Sequence, residues 1–187
     1  MKDQLMKWMR EPWVVLTTWF IFVFFMVVIL PAVVMQTDAV GITESIDTNF
    51  SFDANDIYRI LTSYGDDGRA YYVLQRWTFD LVWPLAYGLP LFTTLQLFLP
   101  KLVRKNWQVV KFLPLIAVGL DYLENILFTI IVVAYPSEVS WLAFIGVSVS
   151  FLKWITLSTA MILTLVISVW MFAKYMLGLF TKPKLSK

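Results

Sequence analysis

The stretch "LPLIAVGLDYLENILFTIIVVAYP" (113–136) decides the fold of this chain, because it is long and apolar enough to cross a bilayer yet carries polar residues near its middle. A membrane span needs about 20 mostly apolar residues, and each acid at its centre costs roughly 2.5–3.5 kcal/mol on insertion. Asp121, Glu124 and Asn125 are related as i, i+3 and i+4, so in a helix they project from one face. That face is unsuited to lipid, and we expect the rest of the chain to cover it.

The composition is that of an integral membrane protein. Of the 187 residues, 59% are hydrophobic, against about 45–50% in soluble globular proteins. The chain contains no Cys and no His. This excludes thiol nucleophiles, disulfides, Ser-His and Cys-His pairs, haem held by His, and zinc sites built from those residues. Any catalysis must therefore use carboxylates, Lys, Arg, Tyr, amides or a metal bound by oxygen ligands alone.

Hydropathy predicts an all-α, integral membrane four-helix bundle formed by a single domain, residues 1–187. The predicted spans are 13–35, 77–99, 112–134 and 150–175. The last apolar run begins earlier, at Trp141, and some 35 helical residues would extend about 50 Å against a hydrocarbon core of about 30 Å. Either this helix tilts and protrudes, or "SWLAFIGVSVSF" (140–151) is a separate interfacial piece.

The first loop, 36–76, is acidic and rich in turn residues. Within it, "DANDIYRILTSYG" (53–65) has apolar residues at helical spacing, acids in its first turn and Gly65 as a stop. It predicts a short amphipathic helix on the membrane surface. A second helix is expected to start at Gly65 and to run directly into the second span. We interpret the aromatic residues nearby as interfacial anchors: Tyr58, Tyr71, Tyr72 and Trp77.

The basic residues predict the orientation of the chain. Eleven of the 15 Lys and Arg residues lie before the first span, in the loop 100–111 and from Lys174 onward. By the positive-inside tendency, both termini are expected to be cytoplasmic, and the acidic first loop is expected to be extracytoplasmic or lumenal.

Polar residues from three predicted spans form the candidate site. Arg76 precedes Asp80 by four residues, so both are predicted to share one helix face near the outer end of the second span. Pro84 and Pro90 follow within that span and free backbone carbonyls, which membrane helices tolerate where the site is buried or lines a cavity. The candidate catalytic residues are Glu124, Asp121 and Asp80. The candidate ligand-binding residues are Arg76, Asn125, Lys153, Arg69 and Tyr87.

Ionisable residues inside a membrane usually mark a functional site. We expect a polar intramembrane pocket that binds a membrane lipid or small amphiphile, either as a binding protein or as an enzyme using carboxylate acid/base chemistry. In the second case Glu124 or Asp121 would exchange the proton and Arg76 would fix an anionic group. Two alternatives stay open: an accessory subunit whose polar residues only hold helices together, and a proton or cation carrier.

We expect no cofactor and no nucleic-acid partner, whereas a homo-oligomer or a larger membrane complex is compatible with the sequence. Two carboxylates on one face could bind Mg²⁺ or Ca²⁺, but such sites usually recruit more oxygen ligands. We therefore expect no metal.

The layout of four spans, both ends cytoplasmic, a long outer first loop and an acid near the outer start of span two before "LPLF" (89–92) resembles that of EXPERA-type sterol isomerases and sterol-binding proteins. The resemblance covers arrangement and hydropathy. The Asp-x-x-Glu-Asn of residues 121–125 is not part of the expected pattern, and the chain has no His.

Overall fold

The computed structural model describes residues 2–180, and all regular structure in that range is helical. In chain order, the helices are Lys2–Trp8 (α1), Pro12–Ala39 (α2), Ala54–Ser63 (α3), Gly65–Arg76 (α4), Phe79–Leu102 (α5), Leu113–Ala134 (α6) and Ser140–Phe180 (α7). A π-helical segment, Phe25–Ile29, lies within α2, and a 3-10 segment, Lys105–Phe112, leads into α6.

Four segments are long and apolar enough to cross a membrane: Pro12–Ala39, Phe79–Leu102, Lys105–Ala134 and Ser140–Gly178. The prediction of four such segments is confirmed. The basic tail at 181–187 lies outside the described residues. The orientation derived from the basic residues stays a prediction.

The last apolar run forms one continuous helix, so the alternative of a separate interfacial piece at 140–151 is wrong. Its first turns do not project away from the protein. Leu142, Ala143 and Val147 are buried against residues of α3 and α6. Contact with protein therefore explains why the helix continues beyond the length that a bilayer requires.

The amphipathic segment of the first loop forms α3, which begins after Asp53. The Asp53 carboxylate accepts a hydrogen bond from the backbone N–H of Asn55 at 3.0 Å, and the helix ends before Gly65, whose φ is +63°. That this helix lies at the membrane surface stays a prediction, but its apolar face packs on protein. Ile57, Ile60 and Leu61 are fully buried in a cluster that includes residues of α6 and α7. The helix is thus a cap on one end of the helical core.

The second loop helix, α4, does not run directly into the second span as expected. Thr78 has φ −124° and ψ −81°, which breaks the helix between Arg76 and Phe79. Arg76 is consequently the last residue of α4, and Asp80 lies in the first turn of α5. Their side chains still meet, as the four-residue spacing predicts, because the break is only two residues long.

Along α6, the polar residues lie between two apolar clusters. Phe128 and Ile131 belong to the cluster under α3, and Ala117 and Val118 belong to a second cluster with residues of α5 and α7. The span from Val118 to Phe128 covers about 15 Å of helix. The charged groups therefore lie in a layer enclosed by apolar packing on both sides.

Gly88 allows α5 and α6 to approach closely beside this polar layer, on the side nearer the N-terminus of α6. A Cβ atom on Gly88 would lie 2.4 Å from Cγ2 of Val118, a stiff β-branched side chain. Gly119, the next residue of α6, would place its Cβ with no such neighbour within 4 Å. The two glycines thus form a matched pair, one tightly packed and one open.

Gly88→Ala is expected to lower the unfolding free energy by about 1–3 kcal/mol, because the added methyl group overpacks the α5–α6 contact. Gly119→Ala should be neutral or stabilising by up to about 1 kcal/mol, because Ala is the better helix former. Thermal unfolding of the detergent-solubilised protein, followed by tryptophan fluorescence, measures both. Equal shifts for the two variants would contradict the close contact.

Candidate functional site

The three polar residues of α6 point into the protein. Asp121, Glu124 and Asn125 are all buried, and Glu124 has no exposed surface. They face residues of α4, α5 and α7. Asp80 and Asp121, from different helices, line the same cavity.

Lys153 of α7 lies in the same layer and pairs with two of these acids. Its Nζ atom is 2.8 Å from Oε1 of Glu124 and 3.5 Å from Oδ1 of Asp121. The sequence alone left the depth of Lys153 undetermined. The pairing places it opposite the middle of α6, where a lysine without an acid partner would be costly.

Arg76 is the second cation of the layer. Its guanidinium lies 2.9 Å from Asp47, 3.0 Å from Asp80 and 3.9 Å from Glu124. It also donates to the hydroxyl of Tyr72 at 2.6 Å. Burial opposes the charge, but the neighbouring acids outweigh burial and hold the pKa of Arg76 well above its ordinary value. Arg76 therefore stays charged.

Tyr72 is a buried part of this network, so its interpretation as an interfacial anchor is wrong. The Arg76 guanidinium lies 4.4 Å from its ring centroid, a cation–π contact. Burial raises the pKa of Tyr72 well above its ordinary value, so the phenol stays neutral. Tyr58 is buried as well, whereas Trp77 is exposed and Tyr71 is half-buried.

Asn125 joins the network to the backbone at the proline of α5. Pro84 has no N–H, so the carbonyl four residues earlier, that of Asp80, loses its helical partner. The Asn125 amide Nδ2 donates to this carbonyl at 3.2 Å, and its Oδ1 accepts from Arg76 at 3.2 Å. Asn125 thus satisfies the backbone group that Pro84 frees and also holds Arg76 in place.

Tyr87 connects the charged layer with the apolar cluster that contains Ala117 and Val118. Its hydroxyl donates to Oδ2 of Asp121 at 2.7 Å, while its ring belongs to the apolar cluster of α5, α6 and α7. Arg69, in contrast, lies outside the network. It donates to the carbonyl of Leu61, pairs with Asp66 and lies over the ring of Tyr135.

Sequence reasoning missed Asp47, the fourth acid of the network. It lies in the first loop, 33 residues along the chain from Asp80, and its side chain is 18% exposed. Burial favours the protonated form, but the Arg76 guanidinium, followed by the Lys153 ammonium, outweighs burial and lowers the pKa of Asp47 below its ordinary value. Among seven acids in the loop, no sequence signal marked this one.

Hydrogen bonds hold the loop around Asp47 against the helices. The carbonyl of Asp47 accepts from the hydroxyl of Ser150 at 2.6 Å and from the indole N–H of Trp154 at 3.2 Å. The hydroxyl of Tyr64 donates to the carbonyl of Glu44 at 2.8 Å. Burial and the nearby Asp47 carboxylate raise the pKa of Tyr64 to about 12, so this donor keeps its proton. The loop therefore forms a fixed wall of the site.

A polar cavity of about 270 Å³ adjoins the network. Its walls come from the first loop and from α2, α4, α5, α6 and α7. The charged residues that line it are Glu44, Asp47, Arg76, Asp80, Asp121 and Lys153, with Phe79, Trp83 and Trp154 among the aromatic ones. Glu124 and Asn125 are not part of the lining. Of the candidate catalytic residues, Asp80 and Asp121 are the ones that an occupant of the cavity would meet.

An apolar groove of about 310 Å³ adjoins the polar cavity. Trp83 and Trp154 line both. The remaining groove residues come from α2, α5 and α7: Trp19, Phe22, Met26, Tyr87, Pro90, Leu91, Leu157 and Met161. A charged cavity and an apolar groove therefore meet at a pair of tryptophans.

Within residues 2–180, no group of three or more acids has the arrangement of a metal site. Comparison of the chain with protein-family models, with curated proteins and with solved structures finds no match.

Lys153→Met is expected to destabilise the protein by about 3–5 kcal/mol, because it leaves Asp121 buried without its cation and Glu124 with only the Arg76 guanidinium, at 3.9 Å. Adding Glu124→Gln to Lys153→Met should recover part of this loss by removing one of these buried charges. Lys174→Met, at an exposed position of the same helix, should have little effect. The unfolding midpoint of the solubilised protein measures all three, and a tolerated Lys153→Met would contradict the pairing.

Asp47→Asn is expected to destabilise the protein by roughly 1–2 kcal/mol near neutral pH, because a charged partner of Arg76 is lost. The folded pKa of Asp47 lies below the ordinary value of 3.8, so the ionised carboxylate stabilises the fold above that pH. Its contribution is lost as the pH falls through 3.8 towards the folded pKa.

The difference in unfolding midpoint between the wild type and Asp47→Asn should therefore be constant above about pH 5 and shrink in more acidic buffer. Asp67→Asn, at an exposed acid of the same loop, is the control and should track the wild type throughout. A gap between wild type and Asp47→Asn that grows on acidification would have the wrong sign.

Proposed function

We propose that this protein is a four-helix membrane bundle that binds an amphiphile, with the head group in the polar cavity and the tail in the apolar groove. The four apolar segments would cross the membrane, with the first loop capping the extracytoplasmic or lumenal side, as the basic residues indicate. The observation that carries the proposal is the shared wall. Trp83 and Trp154 line both spaces, so one molecule could occupy the two at once.

The groove is suited to a tail because its lining is almost entirely apolar. The groove is bordered by α2, most of whose side chains are exposed and would face lipid. It is also bordered by the face of α7 that carries Leu157 and Met161. Lipid surrounds an alkyl chain as favourably as protein side chains do. The role of the groove is therefore to provide space for the tail while the polar cavity holds the head group.

If the protein is an enzyme, acid/base chemistry would fall to Asp80 and Asp121, the buried carboxylates of α5 and α6 that line the cavity. Glu124 would act through Lys153, because it has no exposed surface and its Oε1 atom pairs with the lysine. Proton transfer requires hydrogen-bond reach between the carboxylate and the ligand. This assigns Glu124 a positioning role.

A second proposal, that the charges only hold the helices together, also has support. Arg76 and Lys153 each contact at least two acids, so the network fixes α4, α5, α6 and α7 relative to one another without a ligand. This scaffold would need neither the cavity nor the groove. The two proposals therefore predict different results when a larger side chain fills the groove. Amphiphile binding would be lost, whereas the scaffold would be unaffected.

Met161→Trp is expected to exclude the tail, because a larger side chain would occupy the groove. The amount of amphiphile that copurifies per mole of protein should fall at least about tenfold. Ile162→Trp is the matched control, because Met161 and Ile162 are both exposed but Ile162 does not line the groove.

Mass spectrometry of small molecules extracted from the purified protein measures this ratio, with unfolding midpoints confirming that both variants fold. The wild type and Ile162→Trp should retain the same compound. If the wild type retains nothing beyond the lipids of the bulk membrane, the amphiphile proposal is wrong and the scaffold proposal is preferred.

A further inference from the structure

We infer that the head group taken by the polar cavity is a cation with N–H donors, an alkylammonium group. This inference rests on the proposed amphiphile-binding function and specifies the chemistry of its ligand. It follows from the charge balance of the network, from the partners of its two cations and from the unused acceptor capacity of its acids.

The network carries more acids than bases. With all carboxyls ionised, Asp47, Asp80, Asp121 and Glu124 contribute four negative charges, and Arg76 and Lys153 contribute two positive ones. The network therefore has a formal charge of −2. Glu44, a further acid of the cavity wall, is paired with Arg59 at 3.2 Å and leaves this balance unchanged.

Both cations of the cavity are already ion-paired with acids. Arg76 directs Nη1 and Nη2 at acids, Tyr72 and Asn125, while its Nε atom is buried without a hydrogen-bond partner. Lys153 is engaged by Glu124 and Asp121. A phosphate or carboxylate would compete with the acids already paired to these cations and would add to the excess of negative charge.

The acids, in contrast, have acceptor capacity that the protein does not use. Among the described residues, no hydrogen bond is donated to the Asp80 carboxylate. Its buried Oδ2 atom is only ion-paired with Arg76, at 3.0 Å, and the side chain lines the cavity. Oε2 of Glu124 likewise accepts no hydrogen bond. Buried acceptors of this kind normally have a partner, and the N–H groups of an ammonium would supply one to Asp80.

The walls next to the groove suit the carbon atoms that follow an ammonium. Phe79 and Trp83 lie side by side, with ring centroids 5.5 Å apart, and line the cavity on the side of α5. Trp83 continues into the groove. A cationic head near Asp80 could therefore extend its chain along Trp83 into the groove.

The test compares three probes with one alkyl chain, dodecylammonium, dodecanol and dodecanoate, on the full-length protein in nanodiscs of a neutral lipid, with empty nanodiscs as the blank. Dodecylammonium is expected to bind at least about tenfold more tightly than dodecanol, about 1.4 kcal/mol, and dodecanoate should bind most weakly. Binding is read by native mass spectrometry of the protein and by equilibrium dialysis.

Asp80→Asn and Asp121→Asn should each reduce dodecylammonium binding at least about tenfold while leaving dodecanol unchanged. Each leaves both cations with another acid, so the network should persist, and unfolding midpoints check this. Asp67→Asn, an exposed acid outside the cavity, should bind all three probes as the wild type does.

The outcomes distinguish failure of the cationic head group from failure of the amphiphile-binding function. Equal binding of dodecylammonium and dodecanol, or preference for dodecanoate, would overturn the cationic head group and leave amphiphile binding intact. Binding of none of the probes above the empty-nanodisc blank, together with no copurifying amphiphile, would remove the proposed function itself. The selectivity among probes on the wild type requires no variant, so the inference can fail even if both Asn variants unfold.

Discussion

The structure depends on the pairing of buried charges within a layer that apolar side chains enclose on both sides. Arg76 and Lys153 hold Asp47, Asp80, Asp121 and Glu124 in that layer. A single unpaired charge in such surroundings costs several kcal/mol. The elements that carry these charged residues must therefore pack together. The first loop, α4, α5, α6 and α7 each contribute a member, and the network therefore sets their relative positions.

The same constraint explains features that would otherwise weaken a helix. Pro84 removes a backbone hydrogen bond from α5, but the freed carbonyl of Asp80 becomes the acceptor for Asn125, which also orients Arg76. Gly88 allows Val118 of α6 to approach α5 near the level at which Tyr87 reaches Asp121. Pro84 and Gly88 thus weaken α5 locally, but they allow the close contact between helices that the polar layer requires.

Hydropathy predicted the four apolar segments because their length and composition are local properties. The shared face of Asp121, Glu124 and Asn125, and the meeting of Arg76 with Asp80, followed from helical periodicity and are present in the structure. Periodicity does not identify what an apolar face will contact. The surface on which α3 packs depends on residues far away in the chain. The same is true of the start of α7 at Ser140.

The sequence by itself determined that this chain forms long apolar helices and that the acids of α6 share one helix face, because both follow from local composition and helical spacing. The tertiary structure alone decided that Asp47 joins the network, that Arg69 does not, and that a charged cavity meets an apolar groove at Trp83 and Trp154. Those outcomes depend on contacts between residues tens of positions apart, and neither composition nor spacing encodes which loop acid reaches which cation.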